Sequence, residues 1–300
     1  MINLNQQADG TYTLTIDGLT AIPYVAPTPA PVPGLVFSDN FDSGNLDPAW
    51  GQWLQNTNCG TGSTISVSPA AAYRGSNGVD IHYVISNNPA GQGDCQLHQD
   101  NNTCLTYNLS TPLDHFFVRG YFKLPFADTQ MCSVPIVQRK LLYFKPVGWG
   151  SGAWAFFINM WPWPNCATDG YNLSVGYSGG GGTGVTLWGD DATAGWDTAN
   201  NHVHGNKWYY IEAEVQYGAT LGADTLRIWL AEAGTAPVMV LNRTNLTLRS
   251  QADIDAGLKL GTVEIGRQVD INRPDFTIGV DEHRHWDEIA IGTSRIGPVA

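Results

Sequence analysis

The sequence predicts an all-β protein folded as an antiparallel β-sandwich, and three observations carry that expectation. Short runs of alternating apolar and polar residues recur along the chain, separated by Gly, Asn, Asp and Pro. The composition suits a turn-rich sheet protein, with 34 Gly, 17 Pro, 11 Trp and 12 Tyr against only 14% charged residues. Helical periodicity is confined to SQADIDAGLKL, where Ser250 is placed to cap and Ile254 and Leu258 fall four apart on one face.

Residues 1–24 read as a small β-hairpin, with alternation on both sides of the Asp17-Gly18 turn signal. Residues 25–34 are Pro-rich and read as a stiff, extended linker. Residues 35–300 then form one large domain, with strands expected near 35–38, 64–68, 79–86, 115–126, 135–145, 153–161, 171–177, 207–217, 224–231, 238–242, 260–266 and 285–296.

Alternation assigns faces within these strands. HFFVRGYFKLPF sends Phe116, Val118, Phe122, Leu124 and Phe126 to a core and His115, Phe117, Arg119, Tyr121 and Lys123 to the opposite face. KWYYIEAEVQYG repeats the pattern, with Tyr209, Ile211, Ala213 and Val215 inward and Trp208, Tyr210, Glu212, Glu214 and Gln216 outward. VQRKLLYFK breaks parity, because Leu142 and Phe144 want the core while Gln138 and Lys140 share their phase. A bulge near Lys140 resolves the conflict and leaves Arg139 and Lys140 as alternatives for the outward position. In GWGSGAWAFFINMWPWPNC the face opposite Trp154, Phe156, Ile158 and Met160 carries Phe157, Asn159 and Trp161.

The formal net charge of -12 argues against nucleic acid and anionic membranes as partners, since both need a basic footprint. No apolar run reaches the roughly 20 residues of a membrane span, and no secretory signal is recognisable in MINLNQQADGTYTLTIDG. Five cysteines lack CxxC spacing, so no zinc site is expected from them, although CQLHQDNNTC can be closed by a Cys95–Cys104 bridge. His202 with His204, and His283 with His285, have the spacing that puts two rings on one strand face, yet neither pair shows a third ligand. DEHRHWDE therefore reads as a charged loop entering the last strand, and no transition-metal site is expected.

Charge placement says more than total charge. Residues 115–145 hold five basic side chains and one acidic, a balance of +4, while the rest of the chain holds 10 basic and 26 acidic. A positive region in an acidic protein, set among aromatic rings, points to an anionic ligand, and a uronic-acid polysaccharide fits. The structural alternative is that these cations pair with Glu212 and Glu214 across the sheet.

FSDNFDSGNLDPAW, KWYYIEAEVQ with the following DTLRIWLAEAGTAPVMVLNRTNLTLR, and HWDEIAIGTSRIG resemble the concanavalin A-like lectin/glucanase superfamily, most closely its polysaccharide lyase-like jelly rolls. The resemblance spans roughly residues 35–297. It implies a jelly roll with a carbohydrate-binding face, no required cofactor, and room for a structural calcium involving Asp39, Asp42 or Asp287. It leaves the activity open, because the same fold carries lyases, glycosidases and lectins.

The expected function is cleavage of an acidic polysaccharide by β-elimination. Arg119 or Arg139 would neutralise the uronate carboxylate, and Tyr121, Tyr143, His115 or Lys140 would move protons. Lys123, Lys145, Trp161, Trp163, Trp208, Tyr210, Glu212 and Glu214 would line the substrate. The alternative is a non-catalytic glycan-binding protein mounted on a larger assembly such as a phage virion, or oligomerised through residues 1–34. Glycoside hydrolysis ranks third, since Glu212 and Glu214 lack the third carboxylate of an E-x-D-x-x-E pattern. Either leading function places the protein outside the cell or on a virion.

Overall fold

The computed structural model describes residues 2–6, 12–16, 19–20, 33–54, 62–85, 99–129, 138–147, 155–162, 169–178, 186–271 and 280–299, with backbone alone for 2–20, 85, 99–101, 138, 162, 177–178, 268–271 and 280. The chain divides into two compact units, Met1–Pro33 and Gly34–Ala300. In the first, β1 (Ile2–Gln6), β2 (Tyr12–Ile16) and β3 (Leu19–Thr20) make a three-stranded antiparallel sheet. Ile16 lies opposite Leu19, which places the Asp17-Gly18 pair between the two strands. Residues 25–32, expected as linker, lie outside the described residues.

The second unit is a sandwich of two eight-stranded antiparallel sheets. The first runs β17 (Val238–Leu246), β16 (Asp224–Glu232), β15 (Trp208–Gln216), β10 (His115–Lys123), β19 (Val280–Gly292), β7 (Gly78–Ile85), β6 (Thr64–Ser68), with β4 (Leu35–Asp39) also paired to β19. The second runs β14 (His202–Val203), β13 (Tyr171–Ser178), β12 (Ala155–Pro162), β11 (Gln138–Pro146), β18 (Leu260–Ile271), β9 (Cys104–Leu113), β5 (Trp50–Trp53), with β8 (Gln99–Asn101) on β18. The core lies between them. Phe116, Val118, Phe122, Tyr209, Ile211 and Val215 enter it from the first sheet as alternation predicts, and Leu142, Phe144, Phe156, Ile158, Leu173 and Val263 enter from the second. Among the described residues no helix is long and apolar enough to cross a membrane.

The structure departs from the sequence expectation at β5, β8, β9 and β14, which fall outside the expected strand ranges, and at DEHRHWDE. β9 was not expected, because Asn108, Ser110 and Pro112 are poor strand formers; pairing to β18 on one side and β5 on the other overrides propensity. DEHRHWDE belongs to β19 itself rather than to a loop entering it. Cys104 has a free, buried thiol, and Cys95 lies outside the described residues.

The helix does form, as α1 (Gln251–Asp255), with a reciprocal capping box between Ser250 and Asp253. Ser250→Ala is expected to cost about 1 kcal/mol. The check is a lower midpoint in urea unfolding with an unchanged m-value.

The bulge inferred in β11 is present between Lys140 and Leu142, so Leu141 and Leu142 are both buried. Its partner β18 compensates through Gly266, at φ 69°, where a Cβ would meet the Tyr83 hydroxyl at 2.7 Å and Ile81 Cδ1 at 2.8 Å. The bulge also settles the open alternative. Lys140 turns outward, opposite Asn159, while Arg139 turns into the sandwich and is 1% exposed. There Arg139 Nε donates to Glu282 Oε2 at 2.9 Å and Nη1 to the Tyr171 hydroxyl at 2.7 Å. Arg284 Nε donates to the other Glu282 oxygen at 2.8 Å, and its Nη1 to the Lys140 carbonyl at 2.9 Å. Arg139 is thus a core residue tying the sheets together, not the groove residue the sequence suggested.

Candidate functional site

β10 and β15 pair directly, with Arg119 opposite Glu212, Tyr121 opposite Tyr210 and Lys123 opposite Trp208. The two outward rows therefore share a sheet, but they do not floor a groove. Residues 296–299 lie over them: Arg119 Nη1 donates to the Gly297 carbonyl at 3.2 Å, the Ile296 N–H to Glu212 at 2.7 Å, and the Val299 N–H to the Tyr121 hydroxyl at 3.2 Å. Tyr73 stacks on Tyr121 with ring centroids 4.1 Å apart. Burial, with Tyr73 beside it, pushes Tyr121 up to about 12, which suits a structural phenol rather than a base.

Several charges on this face are paired. His115 sits 3.0 Å from Glu214, which Arg227 also reaches at 2.9 Å; Arg119 lies 3.6 Å from Glu288, and Arg295 3.6 Å from Glu212. Glu212, hydrogen-bonded by Tyr210 and two backbone N–H groups, is 0% exposed, so it makes no hydrolytic pair with Glu214. Trp208, half-buried at the strand end, leans on Tyr73 with centroids 5.6 Å apart. Alternation identified which side chains leave the core; it carried no information about the segment packed over them.

β11 belongs to the other sheet, so the predicted residues divide. Lys140, Tyr143 and Lys145 face outward on the second sheet, Arg139 is in the core, and His115, Arg119, Tyr121, Lys123, Trp208, Tyr210, Glu212 and Glu214 are on the first. Trp161 shares the outer face of the second sheet, opposite Asn172 and edge-on to Trp188 at 4.8 Å. Trp163 lies outside the described residues.

On that second outer face the side chains converge around Tyr143, which is 1% exposed. Its ring stacks on Phe157 from β12 at 5.6 Å and 13°. The Arg267 guanidinium lies 4.5 Å from the Tyr143 centroid, and Lys140 Nζ and Lys145 Nζ each lie 5.7 Å from it. Glu264 bonds both Lys145 and Arg267. Burial alone would pull Arg267 down, but Glu264 beside it outweighs that and raises it. Lys140, Lys145 and Arg267 thus bring three cationic side chains around this one ring. Asn159 accepts a 2.7 Å bond from Ser174 on the same face. Cys104 also belongs here, but burial pushes its thiol up to about 12 and keeps it protonated.

Lys145 and Glu264 also form one wall of a cavity of about 520 Å³, completed by Trp53, Thr106, Asn108 and Pro112 among others. That volume lies within the range of small-ligand sites. Trp53, 54% exposed, offers an open ring at its side. Sequence reasoning missed Glu264, Arg267, Trp53, Thr106 and Asn108. A signal existed for Arg267: Gly266 interrupts a strand pattern, and an interior Gly marks a bulge that brings residues three apart onto one face.

The carboxylates named for calcium are turned to N–H donors instead. Asp39 accepts from Phe41 N at 2.8 Å and Trp50 Nε1 at 2.9 Å, Asp42 from Ser76 N at 2.6 Å, and Asp287 from Tyr73 N at 2.8 Å and Arg74 N at 3.0 Å. Through these bonds the three carboxylates anchor neighbouring loops.

Sandwich, register and outer-face cluster define a jelly roll with a polar and aromatic surface on one sheet. No family model and no curated protein matches the chain. Among solved structures it is similar to endo-β-1,4-glucuronan lyase from the fungus Trichoderma reesei, with a TM-score of 0.58 and 14% identity over 87% of this chain and 96% of that one. It is also similar to the cellulose induced protein Cip1, with a TM-score of 0.54 and 16% identity over 88% of this chain and 100% of that one. At such identities the likeness establishes the fold, which is the concanavalin A-like jelly roll that the sequence led us to expect.

Proposed function

We propose that this protein binds an acidic, uronate-containing polysaccharide on the outer face of its second sheet and cleaves it by β-elimination. The observation that supports this most is the Tyr143 phenol ringed by Lys140, Lys145 and Arg267 beside a cavity with an exposed Trp. The likeness to a glucuronan lyase is compatible with it. In this reading Lys145 and Arg267 neutralise the uronate carboxylate, which acidifies the adjoining C5 proton. Tyr143, acting as the phenolate, takes that proton, the C5–H electron pair becomes the C4=C5 double bond, the C4–O4 bond breaks, and the Tyr143 hydroxyl so formed returns the proton to O4. Glu264 holds Lys145 and Arg267 in position.

One observation favours a second reading, glycan binding without cleavage. Glu264 already bonds both Lys145 and Arg267, which reduces what those cations can offer a substrate. Incubation with glucuronan, alginate and related polyuronates, following absorbance of the unsaturated product, separates the two. Rising absorbance supports elimination; binding without it on every polyuronate leaves plain recognition; no binding at all rejects the site. Trp53→Ala is expected to weaken polysaccharide binding up to about tenfold in either reading, through loss of the stacking ring.

A further inference from the structure

A second cluster sits on the other sheet, away from the proposed glycan site. His82 on β7 and His283 on β19 are direct cross-strand partners. Both leave the outer face of the first sheet, because Ile81, Tyr83, Glu282 and Arg284 on either side of them are buried inward. Their imidazoles stack parallel, with centroids 4.1 Å apart at 3°. Asp281, on the same strand face as His283, reaches both: Oδ1 is in hydrogen-bond contact with His82 Nε2 and 4.0 Å from His283 Nε2. One ligand atom from each of the three residues lies within 4.8 Å of the others.

The other nitrogen of His283 carries an independent observation. His283 Nδ1 bonds Asp80 Oδ2 at 2.8 Å. A carboxylate there holds the proton on Nδ1 and leaves the Nε2 lone pair free, aimed toward Asp281 and His82. This is the support that metal-bound imidazoles typically have behind them.

We propose that His82, Asp281 and His283 form a site for a divalent transition metal, best matched by zinc, with Asp80 orienting His283. Two imidazoles and a carboxylate are a borderline N/O donor set that suits Zn²⁺. Tetrahedral donors around zinc stand roughly 3.3 Å apart, so binding needs side-chain shifts on the order of 1 Å together with rotation of the two rings out of their parallel stack, so that both Nε2 lone pairs point at one ion. The site can make them, because Asp281 is 78% exposed and His283 41%. Asp80 and Asp281 place two carboxylates beside the imidazoles. The other flanking groups are Thr64, opposite His82 on β6; His285, 3.7 Å from Asp80; and Lys123, opposite His285 on β10. Three protein ligands leave the fourth position to solvent. Sequence spacing offered no third ligand for the His283 pair because His82, which supplies it in this proposal, lies far from His283 along the chain.

The test is titration of the intact protein with Zn²⁺ by calorimetry and with Co²⁺ by visible absorption. A single saturable equivalent is expected, with the intense visible bands of tetrahedral cobalt. His82→Ala and His283→Ala should each abolish binding, and Asp80→Ala should weaken it about 10–100-fold. His202→Ala, on the other sheet, should bind as the parent does. Metal-free melting temperatures equal to the parent's show that the variants are folded. Absence of saturable binding, or parental affinity in folded His82→Ala, overturns the proposal.

Discussion

Tyr143→Phe is expected to lower the rate of polyuronate elimination by about 10²–10⁴-fold while leaving polysaccharide affinity nearly unchanged. The substitution keeps the ring that stacks on Phe157 at 5.6 Å and meets the Arg267 guanidinium at 4.5 Å. Only the hydroxyl is lost. If that hydroxyl moves the C5 proton, kcat falls and KM holds, the pattern of an interaction made in the transition state. A purely structural phenol would show lowered stability with kcat per folded molecule unchanged. Parental kcat in a folded variant removes Tyr143 from the chemistry.

Glu282→Ala is expected to destabilise the protein by about 3–5 kcal/mol at neutral pH. Glu282 is buried between two arginines that bond its two oxygens, Arg139 at 2.9 Å and Arg284 at 2.8 Å. Without it, two guanidinium groups remain inside the sandwich with their shared counter-charge gone. Burial would raise the Glu282 carboxyl, but Arg139 and Arg284 outweigh burial and hold it below its ordinary 4.5. A depressed carboxylate stabilises the fold above the unfolded-state pKa, and that contribution is lost as pH falls through the folded value. The cost of Glu282→Ala, measured by chemical denaturation, should therefore shrink in acid below 4.5. Replacing Arg139, Glu282 and Arg284 together by Met, Leu and Met should be neutral or stabilising. An equal cost for the triple replacement would place the effect in packing rather than charge.

The strand faces were legible in the sequence because alternation is a local property. Phe116 and Val118, or Ile211 and Val215, need only their neighbours to declare an apolar side, and the parity conflict at Lys140 was enough to locate the bulge. What lay over a face was not legible. Arg119 and Tyr121 alternate like a ligand platform, yet the backbone of Gly297 and Val299 is bonded to them. Sheet membership was equally hidden, since β10 and β11 are consecutive in sequence and lie in opposite sheets. The +4 balance of residues 115–145 is therefore split between the two sheets and the core, and the cluster at Tyr143 gains its third cation from Arg267 on β18. His82 and His283 illustrate the same limit, because register across β7 and β19 brings them together and nothing local announces it.

Calorimetric titration of a polyuronate oligosaccharide into four folded variants tests the site most directly. Lys145→Ala and Arg267→Ala, on the second sheet, should each lose most of the affinity, while Lys123→Ala and Trp208→Ala, on the first, should bind as the parent does. Weakening by Lys123→Ala or Trp208→Ala, with parental binding in Lys145→Ala and Arg267→Ala, would put the polysaccharide on the opposite sheet and contradict the assignment.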